Sequence, residues 1–272
     1  MKATVLIDNL AGNSLHAEWG LSIHVETDSA NILLDAGTTG AFADNADRLG
    51  IDLSNVDFGV LSHAHYDHAD GMKAFFERNS RAPLYLRAGS GEDCWSRSGK
   101  RFGMKYIGIR KGFLEAHADR ICPVEGDFSP CPGVWLIPHK SGDLTKVGKH
   151  AGMYRRRGLF WKPDNFSHEQ SLVIETAGGL VVFNSCSHGG ADRILTEVAD
   201  TFPGKKIAAM IGGFHLFRSS EEEILAFARR VRDTGVEKLI TGHCTGDEAF
   251  ALLKAELGEK IEQFSSGYRI EV

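Results

Sequence analysis

Long apolar runs are missing from this 272-residue chain. No uncharged apolar stretch approaches the ~18–20 residues that a spanning helix needs, so no transmembrane segment is expected. Cysteine is sparse: Cys94, Cys122, Cys131, Cys186 and Cys244 are odd in number, widely spaced and never C-x-x-C. That pattern argues against a disulfide framework and against a structural zinc ribbon. No secretory leader is expected either, because Asp8 interrupts the apolar start MKATVLIDNL and no small-residue cleavage site follows. With 25% charged and 42% hydrophobic residues, the composition excludes disorder and collagen-like structure. A soluble cytoplasmic protein with enough chain for a substantial core is the expectation. What stands out is histidine, with twelve residues.

The net charge of −5 conceals an asymmetry. Residues 97–111 hold Arg97, Lys100, Arg101, Lys105, Arg110 and Lys111 with no acid. Residues 140–162 hold Lys140, Lys146, Lys149, Arg155, Arg156, Arg157 and Lys162 against Asp143. Each segment carries +6, which leaves −17 on the rest of the chain. Either these are two solvated loops, or they gather over a site and attract a small anion.

Short β-branched stretches dominate the first third: 2–9, 20–27 and 31–37, the last two joined as a hairpin across 28–30. A helix is expected over 41–49, a buried strand over 56–62, a helix over 71–79 and a strand over 83–87. From about 88 to 165 the pattern degrades to an irregular basic loop region, with short candidates only at 106–109, 112–118 and 134–137. Regularity returns in a hairpin (171–176, 180–184), then helix 191–201, strand 206–211 and a helix capped by Ser219 or Ser220. Strand 238–241, helix 247–257 and an edge strand at 268–271 complete the chain. A meander followed by strand–helix alternation fits an α/β sandwich of two sheets flanked by helices, as a single domain over 1–272.

The informative string is Ser62-His63-Ala64-His65-Tyr66-Asp67-His68, between a buried strand and a helix. Histidines at i and i+2 project from one side of an extended chain and can pinch one metal ion. Asp67 and His68 fall in the turn into the helix and can reach a second. Imidazole and carboxylate ligands suit Zn²⁺, Fe or Mn²⁺.

H-x-H-x-D-H is the signature of the metallo-β-lactamase superfamily, and the chain resembles that family over nearly its whole length. AEWGLS (17–22), HEQSL (168–172), CSHGG (186–190) and GGFHL (212–216) resemble one branch of it. That branch includes the 7,8-dihydropterin-6-methyl-4-(β-D-ribofuranosyl)-aminobenzene-5′-phosphate synthase of methanopterin biosynthesis. The resemblance implies an αβ/βα four-layer sandwich of two mixed sheets, with one or two divalent transition-metal ions, zinc first and iron or manganese as alternatives.

The same resemblance distributes the later residues. His243 looks like the last metal ligand. By order His168 matches the third-motif histidine, yet His188 is favoured as the ligand, with His168 left to support it or face substrate. Cys186 stands where the family has a bridging acid, which leaves one ion or two open. His63, His65 and His188 then hold one ion, and Asp67, His68 and His243 the other, with Cys186 nearby. Asp67 would orient or deprotonate water, and His215 would donate to an oxyanion or bind a substrate anion. Arg155 and Arg156 would contact a phosphate or carboxylate, and Trp95, Tyr106, Tyr154, Phe160 and Trp161 could stack on a flat ring. Cys244 reads as a small buried filler. His16, His24, His117, His139 and His150 lack ligand spacing.

The leading expectation is a metal-dependent hydrolase of a small anionic substrate. A dihydropterin synthase on the same site is the alternative, followed by a nuclease or an iron-dependent redox enzyme. The acidic body speaks against nucleic acid, a homodimer stays open, and an intact motif argues against a vestigial sensor.

Overall fold

Alternation of side chains along the strands stacks the molecule in four layers. The computed structural model describes residues 1–12, 14–97 and 103–272. In spatial order the first sheet runs Arg269–Glu271, Lys2–Ile7, Ser22–Glu26, Asn31–Leu34, Phe58–Val60, Leu84–Arg87 and Ile121–Val124. The second runs Ile261–Gln263, Lys238–Thr241, Ile207–Gly212, Gly179–Phe183, Gln170–Thr176, Val134–Pro138 and Phe128–Cys131. In the first, strands as far as Asn31–Leu34 pair antiparallel and those beyond pair parallel. The second repeats the division, parallel as far as Gly179–Phe183 and antiparallel after it.

Successive residues on these strands point to opposite faces. Val5, Ile32 and Val60 therefore meet Leu172, Val181, Ile211 and Ile240 between the sheets. Leu6 and Leu33 turn outward onto Phe42 and Phe75 of helices Ala41–Leu49 and Met72–Arg78. Val173, Val182, Met210 and Leu239 turn the other way. They pack on Leu195, Phe227 and Leu253 of helices Ala191–Thr201, Glu221–Asp233 and Asp247–Leu257. Strands buried on both faces explain the continuous apolar runs such as LVVF. Ser220, one of the two expected caps, closes a capping box with Glu223. No helix among the described residues is long and apolar enough to cross a membrane.

The segment expected to be irregular is largely ordered. Phe160–Pro163, Met153–Arg157, Cys94–Arg97 and Met104–Tyr106 form a third, antiparallel sheet. Helix Leu144–Ala151 packs beside it, while Ile121–Val124, Phe128–Cys131 and Val134–Pro138 complete the two large sheets. These strands escape a periodicity reading because they are short and, as in MYRRR, end in exposed arginines. Lys100 and Arg101 lie outside the described residues.

Candidate metal centre

Strands of both large sheets end at one edge of the sandwich, and the loops leaving them carry the chemistry. Asp35 follows Asn31–Leu34, and Ser62 to His68 follow Phe58–Val60. Cys186 and His188 follow Gly179–Phe183, His215 follows Ile207–Gly212, and His243 follows Lys238–Thr241. The carboxyl ends of such strands are the usual ligand position in α/β sheets. Of the six described non-glycine residues with positive φ, Asp35, Phe166, Ser187, His215 and His243 lie at this edge. Each holds a left-handed conformation that costs energy and that tertiary contacts must maintain.

One buried carboxylate fixes two imidazoles. Asp35 Oδ2 accepts from His68 Nδ1 at 2.8 Å and from Ser62 Oγ at 2.6 Å. Ser62 Oγ, its proton committed to Asp35, accepts from His63 Nδ1 at 2.8 Å. His243 Nδ1 meets Asn9 Oδ1 at 3.1 Å. Because Nδ1 is the donor in all three, their Nε2 lone pairs are left to face inward. His68 Nε2 and His243 Nε2 stand 3.2 Å apart, with Cys186 Sγ 3.3 Å from the former. Asp67 Oδ2 lies 3.9 Å from His68 Nε2 and 3.7 Å from His243 Nε2, and accepts the Trp19 indole N–H at 2.8 Å.

A second convergence lies beside the first. His63, His65 and His188 bring ligand atoms within 4.8 Å of one another, as do Cys186, His188 and His215. His63 Nε2, His65 Nε2, both His188 ring nitrogens and His215 Nδ1 are buried without a hydrogen-bond partner. Buried polar atoms seldom go unpaired, and opposed imidazole lone pairs repel unless a cation sits between them. Neutral imidazoles with a carboxylate and a thiol are the donor set of a divalent transition metal, so the residues fit such an ion.

The electrostatics agree with that state. Burial pushes His63, His65 and His188 well below the usual imidazole range, and neighbouring histidines add to the effect. Burial likewise brings His243 down to about 3. His68 is the exception: burial opposes its charge, but Asp67 and Asp35 prevail and raise it. Burial drives the Cys186 thiol upward, reinforced by the Cys244 sulfur 3.4 Å away.

A cleft of about 590 Å³ opens onto this edge. His65, Asp67, Cys186, His188, His215 and Cys244 form its floor; Trp19 and Phe217 wall one side, and Arg97, Lys105 and Arg218 bring positive charge. The third sheet supplies Arg97, Lys105 and Met153, so the expected basic region does reach the cleft.

Three expected substrate contacts do not. Arg155 is buried, its guanidinium donating to Asp93 from Nε at 3.0 Å and from Nη2 at 2.6 Å. Arg156 instead lies over Trp95 and Trp161 on the outer strands. His168 is fully buried and does not line the cleft. Its Nδ1 accepts the Ala64 N–H at 3.1 Å and its Nε2 faces Asp164 Oδ2 at 3.1 Å. Accepting that N–H requires a lone pair, so His168 is a neutral brace under the H-x-H segment despite the pull of Asp164. Cys244 is more than filler, since its sulfur touches Cys186 and the cleft. Phe217, Arg218 and His150 line the cleft without any sequence spacing to mark them, whereas Trp19 sits in the AEWGLS motif.

Residues 20–94 match the family model of the metallo-beta-lactamase superfamily. The chain is 26% identical to the 7,8-dihydropterin-6-methyl-4-(beta-D-ribofuranosyl)-aminobenzene-5′-phosphate synthase of Methanocaldococcus jannaschii, over 98% of this chain and 95% of that protein. A solved metal-dependent hydrolase of the β-lactamase superfamily is 30% identical with a TM-score of 0.85, covering 100% of this chain and 99% of the other. Zn(2+)-bound PqqB from Methylobacterium extorquens shares the fold at 12% identity and a TM-score of 0.60, with 100% of each chain covered.

Proposed function

The chain belongs to the metallo-β-lactamase superfamily, and on that premise we propose that it is a metal-dependent hydrolase of a small anionic substrate. The observation that carries this reading is the convergence of buried, partnerless imidazole nitrogens on the floor of an open cleft. His63, His65 and His188 would hold one ion; Asp67, His68 and His243 would hold a second, with Cys186 beside it. The mixed nitrogen, oxygen and sulfur donors favour zinc over manganese. A divalent ion there supplies Lewis acidity and lowers the pKa of water to about 7.

The protein's own groups do the rest. Asp67, steadied by the Trp19 indole, orients the attacking water and draws its proton. His215, whose ring lines the cleft, donates to the oxygen on which charge develops. Arg97, Lys105 and Arg218 attract the anionic group of the substrate, and Trp19 and Phe217 exclude water on one side. All five cysteines are free, which supports the reducing cytoplasm as the compartment.

The test is elemental analysis of protein purified without chelator, together with a substrate panel of phosphoesters, lactones and thioesters. About one to two transition-metal ions per chain are expected, and a metal-free, fully folded protein would refute the centre. Asp67→Ala should abolish turnover while leaving the far-ultraviolet circular dichroism unchanged; undiminished turnover would overturn the assignment. The near full-length similarity to the M. jannaschii synthase favours one second reading, a dihydropterin synthase on this site. Product formed from a dihydropterin and a phosphorylated ribosylaniline, without hydrolysis of the panel, would select it.

A further inference from the structure

Cys186 and Cys244 leave different strands, 58 positions apart in sequence, yet their sulfurs stand 3.4 Å apart. Both are buried, at 3% and 1% exposure, but both border the cleft, so a small solute can approach them. The pair is held from several sides. The His215 N–H donates to Cys244 Sγ at 3.3 Å, and Cys186 Sγ rests 3.3 Å from His68 Nε2. Gly213 lies so close to Cys244 Sγ and to the Ser185 carbonyl that no Cβ would fit there. Cys94 offers the contrast: it is equally buried, packs against the core with its sulfur near His65, Asp164 and His168, and does not border the cleft.

We propose that Cys186 and Cys244 are a reversible redox pair that closes to a disulfide under peroxide, and that closure and metal loading at the His68–His243 side exclude each other. One sulfur attacks hydrogen peroxide and breaks its O–O bond, giving a sulfenic acid and one water. The second thiol displaces the sulfenic hydroxyl, which leaves with the thiol proton as a second water. Two electrons pass from the sulfurs to the peroxide oxygens, and two thiols plus one peroxide become one disulfide and two waters. A disulfide needs S–S of about 2.05 Å, so the sulfurs must approach by roughly 1.4 Å. Exclusion follows from position: an ion on His68 meets Cys186 Sγ, and a disulfide sulfur no longer offers it a thiolate. This second half rests on the metal centre proposed above; the first half does not.

The experiment treats the full chain with hydrogen peroxide, once after chelation and once loaded with zinc, and counts bound zinc separately. In the chelated protein the expected result is a loss of 2 Da, a peptide linking residues 186 and 244, reversal by dithiothreitol, and Cys94 untouched. Cys244→Ser should instead gain 16 or 32 Da at Cys186. Stable oxygen adducts on the wild type without the link, or a link through another cysteine, would overturn the pair. Bound zinc should slow linkage at least tenfold. Zinc that binds without slowing it overturns the exclusion but spares the centre. Failure to bind zinc at all, with the link still forming, overturns the exclusion and the proposed centre together.

Discussion

A ligand histidine is useful only if the nitrogen that faces the ion carries a lone pair, and here that condition is set by neighbours remote in sequence. Asp35 fixes His68 directly and His63 through Ser62, while Asn9 fixes His243. Trp19 does the corresponding service for Asp67, placing an indole N–H 2.8 Å from Oδ2. A hydrogen bond to a charged group contributes about 1.5–3 kcal/mol. Trp19→Phe keeps the apolar wall and removes the donor, so it should lower kcat by roughly 10- to 100-fold, in proportion to that loss. Bound metal per chain should stay near the wild-type level. An unchanged kcat would show that Asp67 holds its orientation without the indole. The two disputed histidines separate in the same way: His188→Ala should lose metal from the His63–His65 side, whereas both His168 ring nitrogens are engaged by Ala64 and Asp164.

At the level of elements, what the sequence discloses depends on contiguity. H-x-H-x-D-H is legible because four side chains within six consecutive residues act together, and the strands and helices around it follow ordinary apolar patterns. Cys186, His188, His215 and His243 are legible only as strand-end residues, since spatial neighbourhood across two sheets leaves no spacing to count. The third sheet was hidden for the reason given by Arg155, whose burial depends on Asp93 rather than on apolar character. Docking of the motif helix is equally silent in the sequence. The Ala36 N–H donates to the His68 carbonyl at 2.9 Å and the Gly71 N–H to the Gly37 carbonyl at 3.1 Å. At that approach a Cβ on Gly71 would run into the carbonyls of Ala36 and Thr39. Gly71→Ala should therefore push helix Tyr66–Ala69 from the Asp35 loop, at an overpacking cost of about 1–3 kcal/mol. Differential scanning fluorimetry should record a fall in Tm of roughly 2–12 °C, accompanied by weaker metal retention. Wild-type values for both would mean that the loop yields freely.

For the whole molecule, the centre exists only when the two sheets are closed on each other. One half supplies His63, His65, Asp67 and His68, the other Cys186, His188, His215 and His243. Gln170 joins them, its backbone N–H donating to the Ser62 carbonyl at 2.8 Å and its side chain to Leu61 at 2.9 Å. Behind His188 runs a buried ionic chain from helix Ala191–Thr201 inward. Glu197 meets His139 Nδ1 at 3.0 Å, His139 Nε2 lies 3.3 Å from Glu169, and Glu169 accepts the His188 N–H at 3.1 and 3.2 Å. Burial alone would depress His139, but Glu169 and Glu197 raise it to about 9. Its folded pKa therefore lies above the unfolded value of 6.5, so the stabilisation is complete below pH 6.5 and is lost as pH rises through about 9. Glu197 sets the acid limit: burial opposes its charge, but His139 and Ser141 bring it down to about 2 from 4.5, so its share is present above pH 4.5 and fades as pH falls through about 2. The imidazolium shift corresponds to stabilisation on the order of 3 kcal/mol, or roughly 6–12 °C in Tm. His139→Gln keeps a hydrogen-bond donor but cannot carry charge. The Tm gap between wild type and His139→Gln, measured in the same metal state, should be widest between pH 4.5 and 6.5 and narrow steadily toward pH 9. Other titrating groups cancel in that difference, so a gap constant across the range would mean that His139 is neutral and the chain behind His188 is held by hydrogen bonds alone.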